Sequence, residues 1–237
     1  MRSIIGISVA CGALVVAAVA PASAAELSPQ DVARGYEVTM TKAEARQLGV
    51  TGKVLSTFGV TTSDVGTPDA PWLCDLSNSD EIEGKGAATI VASGYLALGG
   101  QQVSDAQQEV HVYARAKQAK AAYDGIVTKI KQCEGPQTPA ADPETEEPAG
   151  MTTQLTNGTK KAADGDSFLW VRSETTVTGE GGFASHEYST VRHIGRYLQI
   201  LQVDSQGANA PNLTAKQIRT ADKLTDSLGD RWRAALG

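Results

Sequence analysis

The chain has 237 residues, 21 Lys and Arg against 27 Asp and Glu, and a formal net charge of −6. Without a long basic cluster it has no footprint for nucleic acid or for an anionic membrane surface. Aromatic residues are sparse, so the core must come mainly from Val, Ile, Leu and Ala, in one domain of ordinary size.

The N-terminus combines Arg2, an apolar run from Ile4 to Ala20, and Pro21 followed by Ala22-Ser23-Ala24. That order predicts a secretory signal peptide over 1–24, cut before Ala25. Cys11 lies inside the apolar run, which continues well past it, so it does not mark a lipoprotein site. Removal of the leader also removes Arg2, which takes the net charge from −6 to −7. No second apolar run is long enough to span a bilayer. The mature protein is therefore expected to be secreted, outside the cell or in its envelope.

Two helix signals follow. Ser28-Pro29 is a cap with proline at the first helical position. Thr41 with Glu44 three residues later is a capping box, and Leu48-Gly49 is its stop. Residues 50–86 read as loop, with a short strand at Lys53–Phe58. From Ala88 to Leu98, Ile90, Ala92, Leu96 and Leu98 share one parity, which predicts a strand with that face buried. Glu109–Tyr113 alternates again, with Val110 and Val112 inward and His111 outward, so the two strands read as an antiparallel pair. Ala114–Cys133 is an amphipathic helix, with Ala116, Ala119, Tyr123, Ile126, Val127 and Ile130 on one stripe.

Residues 134–150, with four prolines and five acidic residues, have nothing to bury and read as a disordered loop dividing the chain. Beyond it the pattern predicts strands at 154–161, 167–178, 184–192 and 196–204. A long helix opens at Thr214 and Gln217, and Gly229 weakens its last turns. The fold class is α+β: an antiparallel β-sheet flanked by helices, with one disulfide.

The disulfide follows from the cysteine count. Once Cys11 is removed, Cys74 and Cys133 are an even pair in an oxidising compartment. Their bridge closes a loop of about 60 residues, worth roughly 4 kcal/mol in the chain-entropy view. A catalytic cysteine would leave the other idle, and two thiols without neighbouring ligands do not make a metal site.

No G-x-S-x-G elbow is present, and His111, His186 and His193 lie on or beside predicted strands. A metal site from His186, Glu187 and His193 is opposed by parity, because the two histidines fall on opposite faces. Arg172 and Glu174 share a face with Trp170, as do Tyr188 and Arg192 with His186. Arg172, His186, Tyr188 and Arg192 are thus candidates to line a polar ligand groove, or members of a solvated face with cross-strand ion pairs. Asn157-Gly-Thr159 and Asn212-Leu-Thr214 match the glycosylation triplet, a pattern that also arises by chance.

Val110, Val112 and Tyr113 run into the alanine-rich stretch with Ala116, Ala119, Ala122 and Tyr123, closed by Cys133 and preceded by Trp72-x-Cys74. This pattern resembles the PknH-type extracellular sensor domains of actinobacteria, including stand-alone exported relatives. The resemblance implies a disulfide-stapled sheet flanked by helices, with a cleft for an unknown ligand. That pattern has a second cysteine pair in its C-terminal half, which this chain lacks. The expectation is a non-catalytic, monomeric sensor-like binding domain for a small molecule or cell-wall ligand, with no cofactor. The alternatives are a secreted hydrolase with a dispersed Ser/His site and a protein–protein interaction module.

Overall fold

The computed structural model describes residues 38–62, 87–99, 102–137, 151–177, 182–208 and 210–236. The expected leader, the helix signal at Ser28-Pro29, Trp72, Cys74 and residues 138–150 lie outside them. In chain order the elements are α1 (Lys42–Gln47), β1 (Val54–Thr62), β2 (Ala87–Gly99), β3 (Gln102–Tyr113), α2 (Ala116–Gln132) and β4 (Gly135–Gln137). They continue with β5 (Met151–Lys161), β6 (Ser167–Val177), β7 (Phe183–Ile194), β8 (Tyr197–Gly207) and α3 (Ala215–Leu236).

All eight strands form one antiparallel sheet in the order β1-β2-β3-β8-β7-β6-β5-β4. The fold is therefore α+β. The proline-rich segment does not divide it, because β3 pairs with β8 along the whole strand, from Gln102↔Gly207 to Val112↔Tyr197. Nor does loop begin at residue 134: Gly135–Gln137 add a short edge strand to β5. Antiparallel neighbours accept a two-residue connection. Gly195-Arg196 makes one between β7 and β8, with Gly195 at φ +57°, a backbone conformation that glycine adopts without steric cost.

Both sheet faces are covered in part. On one, α2 lays Ala119, Ala122, Ile126 and Ile130 over Leu155, Leu169, Val171, Val191, Leu198 and Ile200. The i, i+3 and i, i+4 spacings of these α2 residues put them on one stripe, and full burial of each isoleucine contributes roughly 1.5–3 kcal/mol. On the other face, α3 packs on β7 and β8, with Ala221, Leu224 and Leu228 against Tyr188, Leu201 and Val203. Trp232 closes its far end on Tyr197, Val110 and Val112.

Helix α1 leans on α3. Its capping box is formed, Thr41 N–H donating to Glu44 Oε2 at 2.8 Å, and Glu44 Oε1 also accepts from Arg231 of α3 at 2.6 Å. The second capping box is formed as well: Thr214 N–H donates to Gln217 Oε1 at 2.8 Å, and Gln217 N–H to Thr214 Oγ1 at 3.2 Å.

Several expectations are corrected by this double coverage. Leu98 is 58 % exposed, whereas Ser93 and Ala97, of the opposite parity, are buried. His111 points away from Val110 and Val112 as expected, yet it is 1 % exposed, on the α2 face of a strand with no solvated side there. Gly229 is a close-contact position: a Cβ there would lie 2.5 Å from Ile194 Cδ1 and 2.7 Å from Arg192 Nη1. Its glycine lets α3 approach β7. The first strand extends beyond Phe58 to Thr62.

Candidate functional site

The four residues predicted for a ligand groove all lie on the α3 face, and register confirms their shared parity: Arg172↔Tyr188, Glu174↔His186 and Arg192↔Gln199. Their surroundings differ. Arg192, with 1 % side-chain exposure, reaches into α3. Its Nη1 donates to the Asp226 carbonyl at 3.0 Å, and its Nη2 contacts Asp164 at 2.7 Å and Asp230 at 3.6 Å. Tyr188 is buried and donates to Asp222 Oδ1 at 2.6 Å. Lys160 bridges the pair, 2.7 Å from Asp222 and 2.9 Å from the Tyr188 hydroxyl. Lys160 also lies 5.5 Å from the Trp170 ring centre. Arg172, half-exposed, pairs with Glu174 at 2.5 Å, and His186 is half-buried with its Nδ1 unpartnered. Arg192 and Tyr188 are thus engaged with α3 and its neighbours, while Arg172, directly opposite Tyr188, pairs with Glu174, and His186 lies opposite Glu174.

The opposite face carries a group that the sequence reading passed over. Asp105 of β3 is directly opposite Asp204 of β8, and Asp204 is directly opposite Glu187 of β7. Three carboxyl side chains therefore stand in a row across three adjacent strands, where directly opposed like charges destabilise a sheet. Asp105 and Asp204 are 8 % and 9 % exposed, and Glu187 is half-buried. The partners are uncharged. Glu187 accepts from Ser189 Oγ at 2.8 Å, Asp204 from Ser185 Oγ at 3.4 Å, and Asp105 Oδ2 from Gln107 Nε2 at 3.1 Å. Asp105 Oδ1 is buried without a partner.

Removal from water raises the pKa of all three, helped at Asp204 and Glu187 by the neighbouring carboxylates: Glu187 to about 8, Asp204 to about 7, and Asp105 upward. Besides His193 of β7, which lies against Tyr123 of α2, the other ionisable groups on this face of the nearest described strands are Glu109 and His111 of β3. They face each other at 3.2 Å, and Glu109 is held below its usual range chiefly by that hydrogen bond. On β6 the position opposite Glu187 is Ser173, and on β2 the position opposite Asp105 is Leu96. Leucine continues outward from there: Leu55, paired with Leu96, is 49 % exposed, and Leu98, two residues along the strand, is 58 % exposed. An acidic row with no cationic partner among the described residues, bordered by exposed leucine, is chemically suited to an organic cation with an apolar part. Among the described residues no group of three His, Cys, Asp or Glu is placed to hold a metal ion.

Among the described residues no histidine ring is hydrogen-bonded to a serine hydroxyl: the His111 ring meets Glu109, and His186 Nδ1 and His193 Nε2 are unpartnered. Cys133 caps α2, buried, with its Sγ 3.0 Å from the Lys129 carbonyl oxygen; its expected partner Cys74 lies outside the described residues.

No family model matches the chain, and no curated protein matches it. Among solved structures, the extracellular domain of PknH from Mycobacterium tuberculosis is similar, with a TM-score of 0.52 and 13 % identity over 89 % of this chain and 98 % of that one. The likeness is one of fold. It agrees with the resemblance carried by β3, α2 and Cys133, and at this identity it transfers no residue role. No helix among the described residues is long and apolar enough to cross a membrane.

Proposed function

We propose that the chain is an exported, monomeric, non-catalytic sensor-like binding domain. Its Asp105–Asp204–Glu187 row recognises a ligand through a positively charged amine, and the leucines beside the row take the ligand's apolar portion. The observation that carries this reading is the row itself: three opposed carboxyl groups with no cationic partner among the described residues cost stability, and a bound ammonium group would recover that cost. The PknH-like fold supports work outside the membrane, as does the predicted leader.

Spermidine, an organic polycation with an aliphatic chain, is a direct probe. At pH 8, where the row is most charged, it is expected to raise the melting temperature of the protein. The gain corresponds to about 2.7 kcal/mol when the free probe is about a hundredfold above its Kd. The gain should shrink at pH 5 and disappear in Asp204→Asn. A melting temperature unmoved by spermidine at pH 8 sinks the proposal.

The Cys74–Cys133 bridge belongs to the same reading, as a clamp from the end of α2 to the segment before β2. Mass analysis of the oxidised, unreduced protein after iodoacetamide should find no alkylated cysteine in the mature chain. Two alkylated sulfurs contradict the bridge.

A further inference from the structure

A cleft of about 230 Å³ lies at the α1/α3 side of the sheet, on the face opposite the acidic row. It forms where the turn after α1, the ends of β2, β3 and β8, and the segment leading into α3 converge. Its polar lining includes Thr51, Gln102, Ser104, Ser205 and Asn212, and none of its described lining residues is ionisable. Ser104 and Ser205 are direct cross-strand partners, so two hydroxyls stand side by side on its floor.

The wall is built, not accidental. Gly49 has φ +106°, and a Cβ there would come 2.2 Å from Gln217 Nε2. Its glycine lets Gln217 reach the Leu48 carbonyl, to which it donates at 2.8 Å, and this latches the α1 turn to the start of α3.

Chemistry selects the ligand class by elimination. A cation would need a carboxylate, and none lines the cleft among the described residues. An anion would need a cationic side chain beside the α3 N-terminus, and among the described residues no Lys or Arg lines the cleft, while the capping box already engages the Gln217 N–H with Thr214. Hydroxyl and amide side chains, which both donate and accept, suit a neutral ligand rich in hydroxyl groups. The volume falls below the roughly 300–1,000 Å³ of pockets for drug-sized molecules, which limits the occupant to a single ring. We infer that this cleft binds a neutral polyhydroxylated ring of monosaccharide size, independently of the acidic row.

Glucose is the probe, titrated at millimolar concentration into the 15N-labelled chain. Amide shifts are expected at Gly49, Thr51, Gln102, Ser104 and Asn212, with the acidic row unmoved. Ser205→Val and Ser104→Val, both strand positions that tolerate a β-branched residue, should each abolish those shifts without altering the remaining spectrum. The wild-type titration decides alone if either variant fails to fold. No cleft shift with glucose overturns the inference. So do shifts that persist in both folded variants, or cleft shifts produced by inorganic phosphate and not by glucose.

Discussion

Replacing Arg192 with leucine should lower the stability of the protein by about 1.5–3 kcal/mol, the range for losing hydrogen bonds made by a charged group. Urea unfolding at neutral pH measures it. The guanidinium is 1 % exposed and joins three separated parts of the fold: the β5–β6 turn through Asp164, the middle of α3 through the Asp226 carbonyl, and the end of α3 through Asp230. Without it, Asp164 keeps Arg233, at 2.7 Å, and the Asp166 N–H, at 3.1 Å, and the Asp226 carbonyl loses its guanidinium donor. Arg192→Lys should recover little, because a single ammonium cannot reach Asp164 and the Asp226 carbonyl together with the fork geometry of a guanidinium. A loss below about 1 kcal/mol, the range of an exposed pair, would contradict the role of Arg192 as a tie between sheet and helix.

The second large effect is on pH. Asp204 and Glu187 have folded-state acidities near pH 7 and 8, well above the ordinary carboxyl range, and Asp105 is raised as well. The folded protein therefore holds protons that the unfolded chain has already released. Their contribution to stability is fully present below the ordinary carboxyl range and is lost as pH rises through 7 and 8. Because the three groups share one row, they titrate as a unit, and the loss between pH 5 and pH 8 should be on the order of 3 kcal/mol rather than the sum of three shifts. Asp164 and Glu109 act in the opposite sense: both are lowered, Asp164 first by its hydrogen bond to Arg233, so their contribution disappears in strong acid. Maximum stability is expected near pH 5. In Asp204→Asn the alkaline fall should flatten, and at pH 8 the variant should be more stable than the wild type. A wild-type profile that is flat from pH 5 to 8 would contradict this.

How much of this was legible in the sequence depends on how local each signal is. Ile126 and Ile130 repeat at helical spacing, and Thr41/Glu44 and Thr214/Gln217 are short-range caps, so α1, α2 and α3 could be read directly. Alternation also found most strands, but it could not tell inside from outside once helices covered both faces. His111 and Leu98 were misplaced for that reason, one buried and one exposed against expectation.

The acidic row was out of reach of any local pattern. Asp105, Glu187 and Asp204 meet only through the β3–β8 and β8–β7 registers, which no window of the sequence contains. The reading of β7 followed His186, Tyr188 and Arg192 on one parity, whereas Ser185, Glu187 and Ser189 on the other form the floor of the row. Proline and acidic content similarly marked 134–150 as a division, but pairing between distant strands decides whether a sheet is one or two.

The most direct measurement of the central claim is a 13C NMR titration of the side-chain carboxyl carbons of Asp105, Asp204 and Glu187, with and without spermidine. In the free protein Asp204 and Glu187 should titrate near pH 7 and 8, with Asp105 above its usual range, and bound amine should return those midpoints toward the ordinary carboxylate range. Carboxyl groups that already titrate near pH 4 without ligand, or raised midpoints that spermidine leaves in place, would contradict it.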